Sequence, residues 1–344
     1  MKAVSLNFSR GSFGTPKEYR IYLINLLKPY KNEENCLVVL PGYSGLLLAL
    51  NWGTLGTPAN FRETYQAYLE LPASWHEDLL SLHIQTARQL SLFMVCGTDI
   101  LTMNAKKYIV SHLISPQGRI LGCQKKLFLS REERSLGISR GEEAEVFSTS
   151  LGKIGLMLGS DAFYPEVGRI LALNGAEVVC HCGALPGEQT EIPNYWRQMT
   201  GMWPQVQQNQ FFCVESQLFT TIAGRNFQGS SCILAPCEMT GDKSGFLAWG
   251  GSSPGWLSPE ELSHEKLSPA AHIPEELESD EPGLRKPARM IPTSEPLEAH
   301  LDFEAREKVI KNYPLLKLLN PAAYGPLQLT LKRRQMRRLE HEAE

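Results

Sequence analysis

Residues 146–176 of the chain read VFSTSLGKIGLMLGSDAFYPEVGRILALNGA, and this stretch contains three predicted elements in succession. Residues 146–149 and 154–158 have the apolar character of two strands, and a short turn containing glycine separates them. A helix is predicted to begin at Pro165, because proline suits the first turn of a helix. It is predicted to end before Gly175, because glycine commonly follows the last turn. The stretch therefore predicts a strand pair followed by a helix.

The alternation of strand and helix extends along the first 240 residues. Residues 177–182 continue the stretch with another strand-like run, EVVCHC. Further strands are predicted at residues 2–8, 36–40, 92–96, 211–215 and 230–234, and helices at residues 16–27 and 75–90. Strands and helices follow one another in this way in proteins whose helices cover a sheet, so the predicted fold class is α/β.

Composition excludes several classes of protein. Among 344 residues, 34 basic and 37 acidic side chains give a net charge of −3, which indicates no nucleic-acid partner. The densest apolar run, residues 46–50, is far shorter than the roughly 20 residues that cross a bilayer, and the N-terminus lacks the apolar core of a signal peptide. We therefore expect a cytoplasmic protein without a membrane partner.

Eight cysteines are scattered through mostly apolar, strand-like contexts without a Cys-x-x-Cys pair. In a reducing compartment such cysteines behave as small buried hydrophobic residues. The run Cys180-His181-Cys182 resembles a metal-binding sequence, but side chains alternate along a strand. Both cysteines would then lie on one face and His181 on the other, so we expect neither a metal site nor a cofactor.

The composition of the chain changes after about residue 250. Residues 251–297 contain eight prolines, and residues 258–281 carry a net charge of −7, which predicts a long loop or insertion. Residues 298–344 regain a helical pattern and end in a basic run, whose simplest interpretation is a solvated helix face or tail. The predicted organisation is a domain over residues 1–250, this insertion and a C-terminal helical extension.

Three blocks of the sequence together resemble the nitrilase superfamily, the carbon–nitrogen hydrolases. They are residues 36–41, CLVVLP; residues 118–129, GRILGCQKKLFL; and residues 146–176. Asn209 and residues 229–236, GSSCILAP, match later parts of the family pattern. The resemblance extends over roughly residues 3–240. It implies a four-layer α-β-β-α sandwich, with two sheets face to face and helices outside, and a homodimer or larger homo-oligomer.

The family's chemistry uses a cysteine nucleophile on a strand-to-helix elbow, a glutamate base and a lysine that stabilises the oxyanion, often with a second glutamate. By the resemblance, Lys126 is the retained lysine. The second glutamate corresponds to Glu132 or Glu133. The base position is occupied by Gly42 and the cysteine position by Gly159.

The loss of both the thiol and its base predicts a catalytically degenerate protein that acts as a binding, regulatory or scaffold subunit. Glycine cannot form an acyl-enzyme, and removal of a nucleophile commonly reduces turnover by about a million-fold. The space left by the two glycines could hold a small carboxylate or amide ligand, and an active relative could be a partner. The alternative is an active hydrolase of amides or nitriles with a relocated nucleophile, Ser160 or Cys182.

Overall fold

The computed structural model describes residues 1–7, 13–33, 35–186, 200–250 and 296–343. Nearly all of the insertion predicted at residues 251–297 lies outside the described residues.

Two sheets form the centre of the molecule. The first contains β1 (Lys2–Ser5), β2 (Cys36–Val39), β3 (Phe93–Val95), β4 (Asp99–Met103), β5 (Lys106–Ile114), β6 (Ile120–Lys125) and β15 (Leu297–His300). Its order is β15-β1-β2-β3-β5-β4, with β6 also paired to β5. The second contains β7 (Val146–Thr149), β8 (Gly152–Leu158), β9 (Val178–Gly183), β10 (Phe212–Gln217), β13 (Cys232–Leu234) and β14 (Phe246–Trp249). Its order is β14-β13-β10-β9-β8-β7, and β11 (Phe219–Ile222) and β12 (Arg225–Gln228) form a separate ribbon.

Helices cover the outer face of each sheet. The described helices are α1 (Pro16–Leu27), α2 (Ser44–Asn51), α3 (Phe61–Leu69), α4 (Ala73–Leu90), α5 (Arg131–Ser135), α6 (Pro165–Leu173), α7 (Met202–Asn209), α8 (Phe303–Asn312) and α9 (Tyr324–Ala343). α2 and α4 contact the first sheet and α1 packs on α4, whereas α6 and α7 lie on the second sheet. The sheets contact each other through β1 with β10, β2 with β9 and β5 with β8. The predicted four-layer α-β-β-α sandwich is confirmed.

Strand β9 is buried on both faces, which explains its nearly continuous apolar sequence. Cys180 and Cys182 belong to the core between the sheets, whereas Val179 belongs to the core beneath α6 and α7. His181 alternates with the two cysteines, as the strand pattern predicted. The eight cysteines, all within the described ranges, form no disulfide.

The C-terminal region begins with a strand that the sequence did not predict. β15 pairs antiparallel with β1, and Leu301 N then donates to Met1 O at 2.8 Å. On α8, Arg306 is buried and its Nε donates to Gln210 O at 2.6 Å. The C-terminal residues are therefore part of the sandwich as far as α8. Within the described ranges, every helix is too short or too polar to cross a bilayer.

Candidate functional site

A cavity of about 380 Å³ lies where several strands of both sheets end. Gly42 follows β2, Lys126 follows β6 and Gly159 follows β8, and all three line the cavity together with Cys182 of β9. Ligand sites in sheet proteins commonly form at the ends of strands, because loops there diverge and leave space. The structure thus brings together the residues that the resemblance placed in a site.

Lys126 and Glu133 form a buried ion pair on the cavity wall. Lys126 Nζ donates to Glu133 Oε1 at 2.6 Å, and the two side chains are 6% and 1% exposed. Glu133 Oε2 accepts from Ser130 N at 2.6 Å, while Ser130 Oγ accepts from Glu133 N at 3.1 Å. These reciprocal bonds are a capping box at the start of α5, and they hold the carboxylate in place.

The neighbouring Glu132 points instead to the cavity rim, where it pairs with Arg225 of β12. Of the two candidate glutamates, Glu133 is the one that lies beside Lys126. The spacing Ser130-x-x-Glu133 was the signal in the sequence, because a capping box turns its glutamate back toward the helix start.

Gly159 begins a 3₁₀ turn, Gly159–Phe163, at the end of β8, and its φ is 52°. Glycine adopts this left-handed conformation without the steric cost that a side chain adds. A Cβ built on Gly159 would lie 3.1 Å from Lys126 Nζ. The position faces the ammonium group but carries no reactive atom.

Asp161 joins this elbow to the segment that carries Lys126. Its carboxylate accepts from Phe128 N at 2.7 Å and from Leu127 N at 3.1 Å, and also from Leu158 N at 3.2 Å. Burial raises the pKa of Asp161 to about 6, although Lys126 and these N–H groups oppose the rise. The sequence motif contained Asp161 but did not reveal this connecting role.

Gly42 is packed against the backbone of the second sheet. Gly42 N donates to Gly183 O at 2.9 Å, and a Cβ built on Gly42 would lie 2.9 Å from Cys182 O. Real Cβ atoms essentially never approach a backbone oxygen so closely. The position of the family's base therefore has no room for any side chain without movement of the strands.

Neither substitute nucleophile has a general base among its described hydrogen-bond partners. Ser160 Oγ donates to Phe128 O at 2.5 Å. Cys182 is completely buried, its Sγ lies 3.7 Å from Ser111 Oγ, and burial raises its pKa to about 12. Both residues line the cavity, but a hydroxyl bonded to a carbonyl and a protonated thiol are poor nucleophiles.

A second polar pair lies on the cavity wall, and the sequence did not predict it. His181 Nδ1 lies 2.9 Å from Glu215 Oε1, and His181 Nε2 lies 2.9 Å from Gly159 O. The pairing depends on the register of β9 and β10, in which His181 and Glu215 are opposite. Register between strands distant in sequence leaves no local signal, although His181 in β9 and Glu215 in β10 stand out as polar ionisable side chains in mostly apolar surroundings.

Aromatic side chains form one side of the cavity. Tyr43 packs edge-on against Phe61 and Phe227, with ring centroids 5.7 and 5.6 Å apart. The guanidinium of Arg225 lies 4.0 Å from the Phe61 ring centroid, a cation–π distance. The cavity thus combines a charged pair at its base with an apolar wall.

Comparison with protein families and curated proteins yields consistent matches. The model of the carbon-nitrogen hydrolase family matches residues 31–237. A "Probable hydrolase YhcX" of Bacillus subtilis is 33% identical over 104 residues, which are 30% of this chain and 20% of that protein. A "Nitrilase" of Pyrococcus abyssi is 27% identical over 164 residues, 45% of this chain and 60% of that protein. The chain thus spans less than two thirds of the length of these relatives.

Solved structures show the same fold at low sequence identity. A carbon-nitrogen hydrolase from Helicobacter pylori G27 has a TM-score of 0.65 and 19% identity, covering 95% of this chain and 96% of that one. Saccharomyces cerevisiae Nit3, described as a member of branch 10 of the nitrilase superfamily, has a TM-score of 0.60 and 16% identity, covering 92% and 94%. An amidase from Nesterenkonia has a TM-score of 0.56 and 18% identity, covering 72% and 85%.

Proposed function

The chain belongs to the carbon–nitrogen hydrolase family, and we propose that it is a non-hydrolytic member that binds a small amide or carboxylate ligand. The observation that carries the proposal is the arrangement at the elbow. Lys126 and Glu133 are in contact and buried, while Gly159 opposite them has no side chain. A site that keeps its oxygen-binding cation but lacks a nucleophile can bind without breaking a bond.

The cavity is suited to a ligand with a polar head and an apolar body. Lys126 donates one N–H to Glu133 and can donate another to a carbonyl or carboxylate oxygen in the space beside Gly159. The aromatic wall of Tyr43 and Phe227 can pack against an alkyl or aryl group. A cavity of about 380 Å³ lies within the size range of small-molecule sites, roughly 300–1,000 Å³.

The chain would act as a binding or regulatory subunit, as a homodimer or beside an active relative. Exposed apolar side chains on the outer helix layer of the second sheet support such assembly. On α6, Ile170 is 46% exposed and Leu173 is 58% exposed. Adjacent apolar side chains that remain exposed in one chain commonly mark an interaction surface.

The test combines calorimetry with an assay for ammonia. Wild-type protein is titrated with propionamide and with propionate, and each mixture is assayed for ammonia. We expect binding of at least one probe without ammonia release, and binding at least tenfold weaker in Lys126→Gln. Lys107→Gln is the matched control, because Lys107 pairs with Glu70 at the exposed surface.

Two results would contradict the proposal. Ammonia release that disappears in Ser160→Ala or in Cys182→Ala would establish the alternative, an active hydrolase with a relocated nucleophile. Equal binding by wild type and a folded Lys126→Gln variant would leave only a scaffold function.

A further inference from the structure

The His181–Glu215 pair lies directly beneath the elbow and has no part in the binding role assigned to Lys126. The two residues are opposite each other on the parallel strands β9 and β10, and both side chains are almost completely buried, at 4% and 3% exposure. The other ring nitrogen of His181 lies 2.9 Å from Gly159 O. The imidazole therefore connects a buried carboxylate to the peptide that begins the elbow.

Both neighbours of the imidazole ring are hydrogen-bond acceptors. A carbonyl oxygen accepts only, and an ionised carboxylate also accepts only. In a neutral imidazole one nitrogen lacks a hydrogen, so one of the two 2.9 Å contacts would join two acceptors. Only the imidazolium form donates to Glu215 and to Gly159 O at the same time.

Glu215 is held in its ionised form by its surroundings. Burial alone would raise the pKa of this carboxyl, but hydrogen bonds from His181, Cys232 and Gln217 lower it overall. Gln217 Nε2 donates to Oε1 at 2.7 Å, and Cys232 Sγ donates to Oε2 at 3.0 Å. A nearby positive charge stabilises a buried carboxylate, and an imidazolium at His181 would supply one.

Among the described residues, groups from β8, β10 and the elbow face the imidazole ring. On β10, Glu215 contacts the ring, and Cys232 of β13 donates to Glu215. On β8 the residue opposite His181 is Met157, which is uncharged, and the elbow presents a peptide carbonyl. Lys126, which also lines the cavity, is paired with Glu133.

We propose that His181 is a positioning residue, which donates from both ring nitrogens to hold the Gly159–Ser160 peptide against Glu215 and so shape the cavity wall beside Lys126. Glycine has more backbone freedom than any other residue type. A hydrogen bond from His181 to Gly159 O therefore helps to keep this peptide in one conformation. The effect on the ligand rests on the proposed binding function, whereas the state of the ring does not.

The first experiment measures the protonation state of the His181 ring. Protein labelled with ¹⁵N-histidine is studied by NMR near pH 7, and the signal of His181 is assigned by its loss in His181→Gln. We expect both ring nitrogens to carry hydrogen. A neutral ring with one unprotonated nitrogen would overturn the proposal.

The second experiment measures the conformation of the Gly159–Ser160 peptide and the affinity of the cavity for a ligand. In His181→Gln, and in His181→Gln/Glu215→Gln, which also removes the carboxylate, we expect the amide signals of Ser160 and Ala162 to shift. We expect propionamide or propionate to bind about tenfold more weakly, the effect of one lost hydrogen bond. His300→Gln, at an exposed position of β15, is the matched control.

The two proposals fail in different ways. Unchanged Ser160 signals and unchanged affinity in a folded double variant would show that the pair serves only charge balance, which overturns the positioning role. Absence of binding by the wild type would overturn the proposed binding function. The protonation of the ring and the Ser160 amide signal would still test the positioning role of His181.

Discussion

The ammonium group of Lys126 lies so close to Gly159 that a Cβ built on this glycine would be 3.1 Å from Lys126 Nζ. Lys126 could therefore donate a hydrogen bond to the carbonyl or carboxylate oxygen of a ligand whose carbon lies beside Gly159. Because Gly159 offers no atom to bond that carbon, the geometry favours reversible contact with a ligand oxygen over covalent chemistry.

We expect no ammonia release above background from simple amides, nitriles or carbamoylated amines. The side chains nearest to the missing nucleophile are unsuited to replace it, since Ser160 donates to a carbonyl and Cys182 is buried as a thiol. The measurement is a coupled ammonia assay with concentrated protein. Turnover that persists in the Ser160→Ala/Cys182→Ala double variant would refute this account of both residues.

Gly159→Cys should create a reactive thiol without creating a hydrolase. The new side chain would lie beside the Lys126 ammonium, which favours the thiolate and should lower its pKa below the usual value of about 8.5. The left-handed backbone should cost about 1–2 kcal/mol of stability. We expect faster alkylation by iodoacetamide than in the wild type, followed by mass spectrometry, and no ammonia from propionamide. Sustained turnover would reveal a base that the geometry does not supply.

Gly42→Ala should destabilise the protein, because its Cβ would lie 2.9 Å from Cys182 O in the facing sheet. Overpacking of this kind typically costs about 1–3 kcal/mol in the free energy of unfolding. Gly241→Ala is the matched control, since no atom lies within 4 Å of the added Cβ there, and should change stability by less than about 0.5 kcal/mol. Urea denaturation measures both, and equal stability of the two variants would contradict the predicted crowding.

Asp161 should make stability depend on pH between about 4 and 6. Its pKa is about 6 in the folded protein against an ordinary value of 3.8, so the folded state keeps a proton that the unfolded chain has lost. The stabilising contribution is therefore complete below about pH 4 and declines as pH rises, by about 3 kcal/mol. Urea denaturation at several pH values should show this decline in the difference between wild type and Asp161→Asn. Asp78→Asn, at an exposed position on α4, is the control, and a difference independent of pH would contradict the prediction.

Charge on the exposed face of α6 should dissociate the proposed homodimer. Ile170 and Leu173 would be buried between copies, so Leu173→Glu places a charge in an apolar interface. We expect light scattering after size exclusion to report a dimer for the wild type and a monomer for this variant. Ile21→Glu on α1, 48% exposed on the opposite outer layer, should remain dimeric. A monomeric wild type would refute the assembly.

Local patterns in the sequence were sufficient to predict the strands and the helix around the elbow. The helix predicted between Pro165 and Gly175 is present as α6, and the strand pair before it is β7 and β8. These predictions hold because proline, glycine and apolar alternation act on the residues immediately beside them. The absence of a thiol at Gly159 and of a carboxylate at Gly42 was also readable, since residue identity is given by the sequence itself.

Only the tertiary structure determined the contacts between segments that are distant in the chain. Strand alternation placed His181 on the face opposite the cysteines, but its pairing with Glu215 depends on the register of β9 and β10. The crowding of Gly42 arises where β2 of one sheet ends against β9 of the other. The pairing of β15 with β1 joins residues about 300 positions apart. Side-chain periodicity specifies a face of an element, whereas the neighbour across that face is selected by the packing of the whole sandwich.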